Sequence, residues 1–316
     1  EKAAAGGNLS AEVIEQMRVK TDGVPLFVEE LTKSVVEARG QVTGDGGQDG
    51  KPVGVLAIPA TLQEALLTRL DRLSTARQIA QLGATLGREF SYELLHAVAP
   101  MGDAELQTSL SKLVEAEILY QRGVREQTHY FFKHALIQDT AYQSLLKSTR
   151  QQYHQQIALV LEERFSDIKE TQPELLAHHY TEAGLTEQAI PYWQRAGAQA
   201  SQRFAFVEAV NHFTKGLVLL KTQPDTLERA QQELALQIAL GGSLMATKGG
   251  GALEVGATYT RARELCQRMG ETPQLFSVLS GLRVFHLIRG EYQTARKLGE
   301  QMLRVAQSVQ DSTFLL

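Results

Sequence analysis

One cysteine, one tryptophan and eight prolines in 316 residues exclude several kinds of protein at the outset. A lone Cys266 cannot build an intramolecular disulfide framework or a thiolate zinc site, and so little cysteine fits a reducing compartment. Charge of one sign is not in excess. There are 32 Lys and Arg against 36 Asp and Glu, a net charge of −4, which argues against a strongly basic nucleic-acid binder. Long hydrophobic runs are missing as well. The longest uncharged stretch near the middle, Leu234 to Thr247, has 14 residues, several of them small or polar, too short for a membrane span. The opening Glu1-Lys2-Ala3-Ala4-Ala5-Gly6-Gly7 is neither a start methionine nor a signal peptide. With the abrupt stop at Leu316, it suggests a piece of something longer. What is present, 43% apolar and 22% charged residues, is ordinary for a globular chain, and the length suggests about two domains, or three if one is small.

Catalytic motifs are also absent. A phosphate-cradling loop needs a glycine-rich turn ending in Gly-Lys-Ser/Thr at a helix start. In Gly46-Gly47-Gln48-Asp49-Gly50-Lys51-Pro52 the first glycine is replaced by Asp45 and the hydroxyl residue by Pro52. The eight histidines are scattered, with no Glu-x-x-His pattern, and no Gly-x-Ser-x-Gly elbow occurs. No metal site and no complete catalytic constellation is expected, so this stretch alone is not read as an enzyme.

Helical periodicity dominates what is there. Ser10 can cap a helix carrying Val13, Ile14 and Met17, and Pro25 suits the first position of a second helix with Phe27, Leu31 and Val35 on one face. Six glycines between Gly40 and Gly54, with scarcely any apolar side chains, read as a flexible linker. Thr61-Leu62-Gln63-Glu64 is a capping box before Leu66, Leu70 and Leu73. Further helices are expected with caps at Ser74, Ser91 and Asp103, the last carrying Leu106, Leu110, Leu113 and Val114. Ile118–Gln121 and Thr128–Phe132 are β-favouring runs around Gly123, hence a hairpin, and a helix restarts near His134. Short helices followed by a hairpin is the winged-helix order.

From about Gln172 the chain reads as helix throughout. Leu176, Ala177, Tyr180, Ala189, Trp193 and Ala196 match the spacing of the tetratricopeptide repeat, a helix pair of about 34 residues whose small side chains let neighbours approach. Trp193, Gly197, Ala209 and Phe213 give an overlapping second register, and Leu282, Gly290 and Ala295 a weaker third. A helical bundle with alanines in its core is the alternative. The expected class is therefore mainly α: residues 1–38 as the C-terminal helices of a preceding module, 39–57 as linker, 58–168 as winged helix with a small β-hairpin, and 169–316 as a TPR-like α-solenoid. Winged helices often read DNA. Between Ile58 and Arg150, however, ten basic and ten acidic residues are interspersed, which leaves little of the phosphate-contact term on which such binding depends.

Several co-linear motifs carry a resemblance. Thr21-Asp22-Gly23-Val24-Pro25-Leu26-Phe27-Val28-Glu29-Glu30-Leu31 resembles the Gly-x-Pro motif closing the nucleotide-binding module of the signal-transduction ATPases with numerous domains, the STAND class. Phe132-Lys133-His134-Ala135-Leu136-Ile137-Gln138-Asp139-Thr140-Ala141-Tyr142 is similar to the histidine-bearing motif ending that class's winged helix. Ile58-Pro59-Ala60-Thr61-Leu62, Gly87-Arg88-Glu89-Phe90, Leu176-Ala177-His178-His179-Tyr180 and Ala246-Thr247-Lys248-Gly249 resemble a narrower bacterial group joining a class III adenylate/guanylate cyclase domain to such an ATPase and a tetratricopeptide tail.

The resemblance implies a cytoplasmic nucleotide switch that binds ATP or ADP, with Mg²⁺ ligands outside this chain. It implies that Pro25, with Gly23 two residues earlier in the same nucleotide-binding motif, packs on the adenine and that His134 reaches the β-phosphate of bound ADP. The class's Met-His-Asp is replaced here by Lys133-His134-Ala135, so the acidic neighbour is missing. Structural alternatives stand beside these roles: Pro25 as the first residue of a helix, His134 as a strand-to-helix junction. The repeat tail is expected to bind a protein or peptide, or to self-associate, with no direct nucleic-acid contact. A transcription activator of similar build, with DNA binding elsewhere, is the alternative function.

Overall fold

A computed structural model describes residues 27–33, 61–123, 127–270 and 273–309. The expected linker at 40–54, Gly23, Pro25 and the helix placed after Ser10 lie outside the described residues. The chain divides into two compact units, Glu1–Ile157 and Ala158–Leu316.

The described part of the first unit starts with about two helical turns at residues 27–33, which bury Phe27 and Leu31. Then come α1 (Leu62–Arg72), α2 (Thr75–Leu86), β1 (Glu89–Ser91), α3 (Tyr92–Val98), α4 (Asp103–Glu115), β2 (Leu119–Arg122), β3 (His129–Phe132) and α5 (Ala135–Gln143). Thr61 caps α1 as expected, its hydroxyl accepting from the Glu64 N–H at 3.1 Å, and Ser91 caps α3 through Leu94. Two other caps differ. Ser74 precedes α2 without a side-chain cap bond, because its φ of +48° carries the backbone out of the extended geometry a cap requires. Asp103 lies inside the first turn of α4, after Gly102, and takes a hydrogen bond from Tyr92 instead.

The hairpin forms where the β-favouring runs put it, and a third strand joins it. The antiparallel sheet runs β1-β3-β2, with Phe90 opposite Tyr130 and Leu119 opposite Phe132. Strand alternation sends Tyr130 and Phe132 inward beside Phe90, with ring centroids 6.0 and 6.1 Å from it. Gly83 of α2 lets that cluster seat, since a Cβ there would lie 2.7 Å from the Phe90 ring.

α6 (Lys147–Arg164) contains the division between the units. The second unit continues with α7 (Ser166–Thr171), α8 (Pro173–Glu182), α9 (Thr186–Gln202), α10 (Phe206–Leu220), α11 (Leu227–Lys248), α12 (Leu253–Met269), α13 (Leu275–Ile288) and α14 (Tyr292–Val309). From α8 onward each helix packs on the next, and α11 also touches α9 and α13. Short turns make neighbours antiparallel, an arrangement consistent with a TPR-like solenoid. All six residues of the first repeat register are buried, and so are Gly197 and Phe213 of the second. Gly197 faces the Phe213 ring directly. Tyr259 of α12 fills the space that Gly241 and Gly281 leave on its two neighbours.

Close approach by missing side chains makes a direct expectation. Gly281→Ala would drive a methyl into the Tyr259 ring, and overpacking of a filled interior costs about 1–3 kcal/mol. Chemical denaturation should show that loss. Unchanged stability would mean that α12 and α13 are not in such close contact.

Candidate functional site

The sequence-derived site residues do not all fall within the described chain. His134 does. It is the N-cap of α5, in extended geometry, and its carbonyl accepts from Ile137 at 3.0 Å and Gln138 at 3.4 Å. The strand-to-helix junction expected there is real. The side chain does not cap the helix, however, and the half-buried ring has a fully buried Nε2 with no hydrogen-bond partner among the described residues. A buried polar atom left unmatched costs about 1–3 kcal/mol, and such atoms in native structures call for a reason.

Around this junction stands a charged cluster that sequence reading did not find. Lys133, the last residue before His134, ties its backbone N–H to Ile118 at 3.1 Å. Its ammonium reaches Glu29 at 2.5 Å and Glu117 at 2.8 Å. Lys33 pairs with the same two carboxylates, at 2.7 Å to Glu29 and by a short contact to Glu117. Glu117 occupies the α4–β2 turn at φ +51°, a left-handed conformation that costs a non-glycine residue about 1–2 kcal/mol and marks a constrained position. Hydrogen bonds from Lys133 and Lys33 hold both Glu29 and Glu117 down to about 2. Burial works against the Lys133 charge, but the bonds to Glu117 and Glu29 outweigh it and raise its pKa.

Beneath the cluster is a more deeply buried pair. Arg69 of α1 hydrogen-bonds Glu30 with both side chains essentially out of solvent, and its second terminal nitrogen donates to the carbonyl of Ala116. Segment 27–33 is thus joined to the sheet-bearing body by two carboxylates, Glu29 at the rim and Glu30 inside, and by Lys33 through Glu117. Glu29-Glu30 was within reach of sequence reading, as part of the Gly-x-Pro motif. Apart from Lys33, four residues from Glu29, their partners are 39 residues away in one case and 104 in the other and carried no local signal. Lys133, which replaces an apolar residue of the resembling motif, was the available clue.

The tail carries a concavity. A cleft of about 260 Å³ is lined by Trp193, His178, Thr181, Lys215, Val218 and Leu219. The Trp193 indole donates to the Thr181 hydroxyl at 2.9 Å, the Lys215 ammonium lies 4.4 Å from its ring centre, and His212 stacks on it at 5.4 Å. Burial lowers the His212 pKa. Among the described residues, no group of three or more His, Cys, Asp or Glu is placed to hold a metal, and no helix is long and apolar enough to cross a membrane.

Comparison with known proteins gives a partial bearing. No family model matches the chain. It is 32% identical over 264 residues to an uncharacterized protein of Rhizobium meliloti (strain 1021), an alignment covering 82% of this chain. The chain spans only about a quarter (25%) of that relative's length. Among solved structures it is similar to a signal transduction ATPase with numerous domains (STAND) protein with a tetratricopeptide repeat sensor from Pyrococcus horikoshii. That match has a TM-score of 0.34 and 11% identity, covering 98% of this chain and 47% of the other.

Two outcomes follow from the charged cluster. Arg69→Met strands the Glu30 carboxylate in the interior and should cost about 3–5 kcal/mol, while Glu30→Met with Arg69→Met should recover most of it. A double-mutant cycle by denaturation measures this. Additive losses would show that the two groups do not meet. The rim pairs predict acid sensitivity. Glu29 and Glu117 titrate near 2 when folded and near 4.3 when unfolded, so their contribution is complete above about pH 4.3 and fades as pH falls toward 2. Both carboxylates are more than a third exposed, so salt should weaken the effect. Carboxyl NMR titration should find both midpoints well below 4, rising in Lys133→Met. Ordinary midpoints would contradict the cluster.

Proposed function

We propose that this chain is the regulatory portion of a multidomain, nucleotide-switched signalling ATPase of the STAND class. In this reading segment 27–33 ends the nucleotide-binding module, the sheet-bearing unit is a winged helix acting as lever, and the TPR-like tail is the sensor that binds a protein or peptide. The order α2-β1-α3-α4-β2-β3 with sheet order β1-β3-β2 supports the winged helix. The six co-linear motifs support the class; a class III cyclase elsewhere in the longer protein is proposed from the resemblance to the narrower group, not from the motifs themselves. ATP or ADP is the proposed cofactor, with Gly23 and Pro25 against the adenine and His134 toward a phosphate. The phosphate loop and Mg²⁺ ligands would come from outside these 316 residues. Nucleotide, when bound, supplies the energy of the switch.

The single observation that carries this reading is the buried, unmatched Nε2 of His134. A phosphate oxygen is a partner of the right chemistry, because it accepts from an imidazole N–H. A hydrogen bond to a charged group is worth about 1.5–3 kcal/mol, or roughly 10- to 150-fold in a closed/open ratio. Reversing a switch from 1:99 to 99:1 takes about 5.5 kcal/mol. His134 would therefore bias the closed state without setting it alone. Lys133, held by two carboxylates, is not free to act as the phosphate ligand in its place.

His134→Ala in the full-length protein should speed ADP release by roughly 10-fold or more while leaving folding cooperative. Stopped-flow release of a fluorescent ADP, beside thermal unfolding, checks it. A purely structural histidine would give a lower melting temperature with unchanged release, and that result would end the nucleotide role.

A further inference from the structure

The tail has two edges where its helices turn, and they differ. One carries the turns at residues 203–205, 249–252 and 289–291, together with Phe204, Val207, Leu253, Ile288 and Tyr292, each between 60% and 79% exposed. Toward the opposite edge, among the described residues, the large, apolar and exposed residues are Leu227, Val218 and Leu303, each between 52% and 56% exposed. Singly exposed apolar residues are unremarkable, but a file of them along one edge marks an interaction surface.

One position on this edge is also strained. The turns after α8, α9 and α13 close with the same pair of backbone bonds: Gly184 to Thr181 and Leu185 to Tyr180, Phe204 to Ser201 and Ala205 to Ala200, Gly290 to Leu287 and Glu291 to His286. The left-handed residue is glycine in two of them, at φ +78° and +77°, and phenylalanine at φ +61° in the third. A bulky side chain sits where the turn favours none, and its ring projects into water, edge-on to Phe206 at 6.0 Å between centroids. Folding gains little from that ring. Strain kept at an exposed aromatic points to a binding role.

We propose that this edge pairs with a second copy of the chain along the file that runs from Phe204 and Val207 to Leu253, Ile288 and Tyr292. Two observations select that occupant. The exposed parts of the five large residues amount to on the order of 650 Å², close to the roughly 800 Å² each partner contributes to a standard interface. The edge is also electrically balanced. Lys248 pairs with Glu254 and Arg289 with Glu291, while Arg203 and Glu208, on either side of the phenylalanines, have no ion pair among the described residues. In a two-fold contact residue i of one copy meets residue j of the other and the reverse, so Arg203 of each copy can face Glu208 of the other. The inference rests on the tail being an interaction surface and narrows the partner to the chain itself.

Sedimentation velocity on the 316-residue chain, from about 1 to about 100 µM, should show a monomer–dimer equilibrium. Phe204→Gly suits the left-handed turn and should keep or raise the melting temperature while weakening the dimer roughly ten-fold or more. Arg203→Glu should weaken it too, and adding Glu208→Arg should restore it. A chain that stays monomeric throughout overturns the pairing, as does a dimer indifferent to all these changes. A monomer whose tail binds a different protein through this edge also overturns it, and leaves the interaction reading of the tail standing.

Discussion

The Glu30–Arg69 pair is the constraint on which the arrangement of the first unit depends. Two opposite charges withdrawn from water are tolerated only while they satisfy each other. Glu30 comes from segment 27–33 and Arg69 from α1, and the same guanidinium also holds the carbonyl of Ala116 at the end of α4. Three elements far apart in sequence therefore share one buried charge balance. The rim pairs of Lys33 and Lys133 with Glu29 and Glu117 lie over it and reach the residue before His134. Exposed pairs of this kind contribute little stability individually. Their consequence is positional: they fix the strand-to-helix junction against the segment that, in the proposed reading, ends the nucleotide-binding module.

The tail is governed by a different constraint. Its helices approach through missing side chains, Gly197 beneath Phe213 and both Gly241 and Gly281 around Tyr259, so its interior is set by steric fit rather than by charge. Each helix meets chiefly its neighbours in sequence, as expected of a quasi-one-dimensional array. Such arrays present long edges and faces, and among the described residues one edge carries most of the exposed aromatic and aliphatic residues and the most exposed of them. The two units thus suit different tasks: charge-coupled positioning in the first, surface display in the second.

How much of this the amino-acid sequence revealed follows from the range of each interaction. The hairpin, the Thr61 and Ser91 caps, the restart at His134 and the buried face of α8 and α9 were legible, because each is written within a few residues. β1 was not. Its three residues, Glu89–Ser91, are too few to show alternation, and the strand exists because β3 supplies its partner. Ser74 and Asp103 were misread for a related reason: each has a capping residue's chemistry, but the backbone placed one out of geometry and gave the other to Tyr92. Of the candidate site, His134 was legible through resemblance. The Lys133 cluster and the Arg69 pair were not, because the pairs that define them, Lys133 with Glu117 and Glu29 and Arg69 with Glu30, span 16 to 104 residues and leave no periodic trace.

Native-state hydrogen exchange addresses most directly the claim that segment 27–33 belongs to the sheet-bearing body. If the buried pair governs that attachment, the amides of residues 30–33 should exchange only through the opening that also exposes Phe132 and α1, with similar free energies and denaturant dependence. In Arg69→Met their protection should drop first and furthest. Rapid exchange in 30–33 of the unmodified chain, while Phe132 stays protected, would show that the segment is attached too loosely to couple anything to His134.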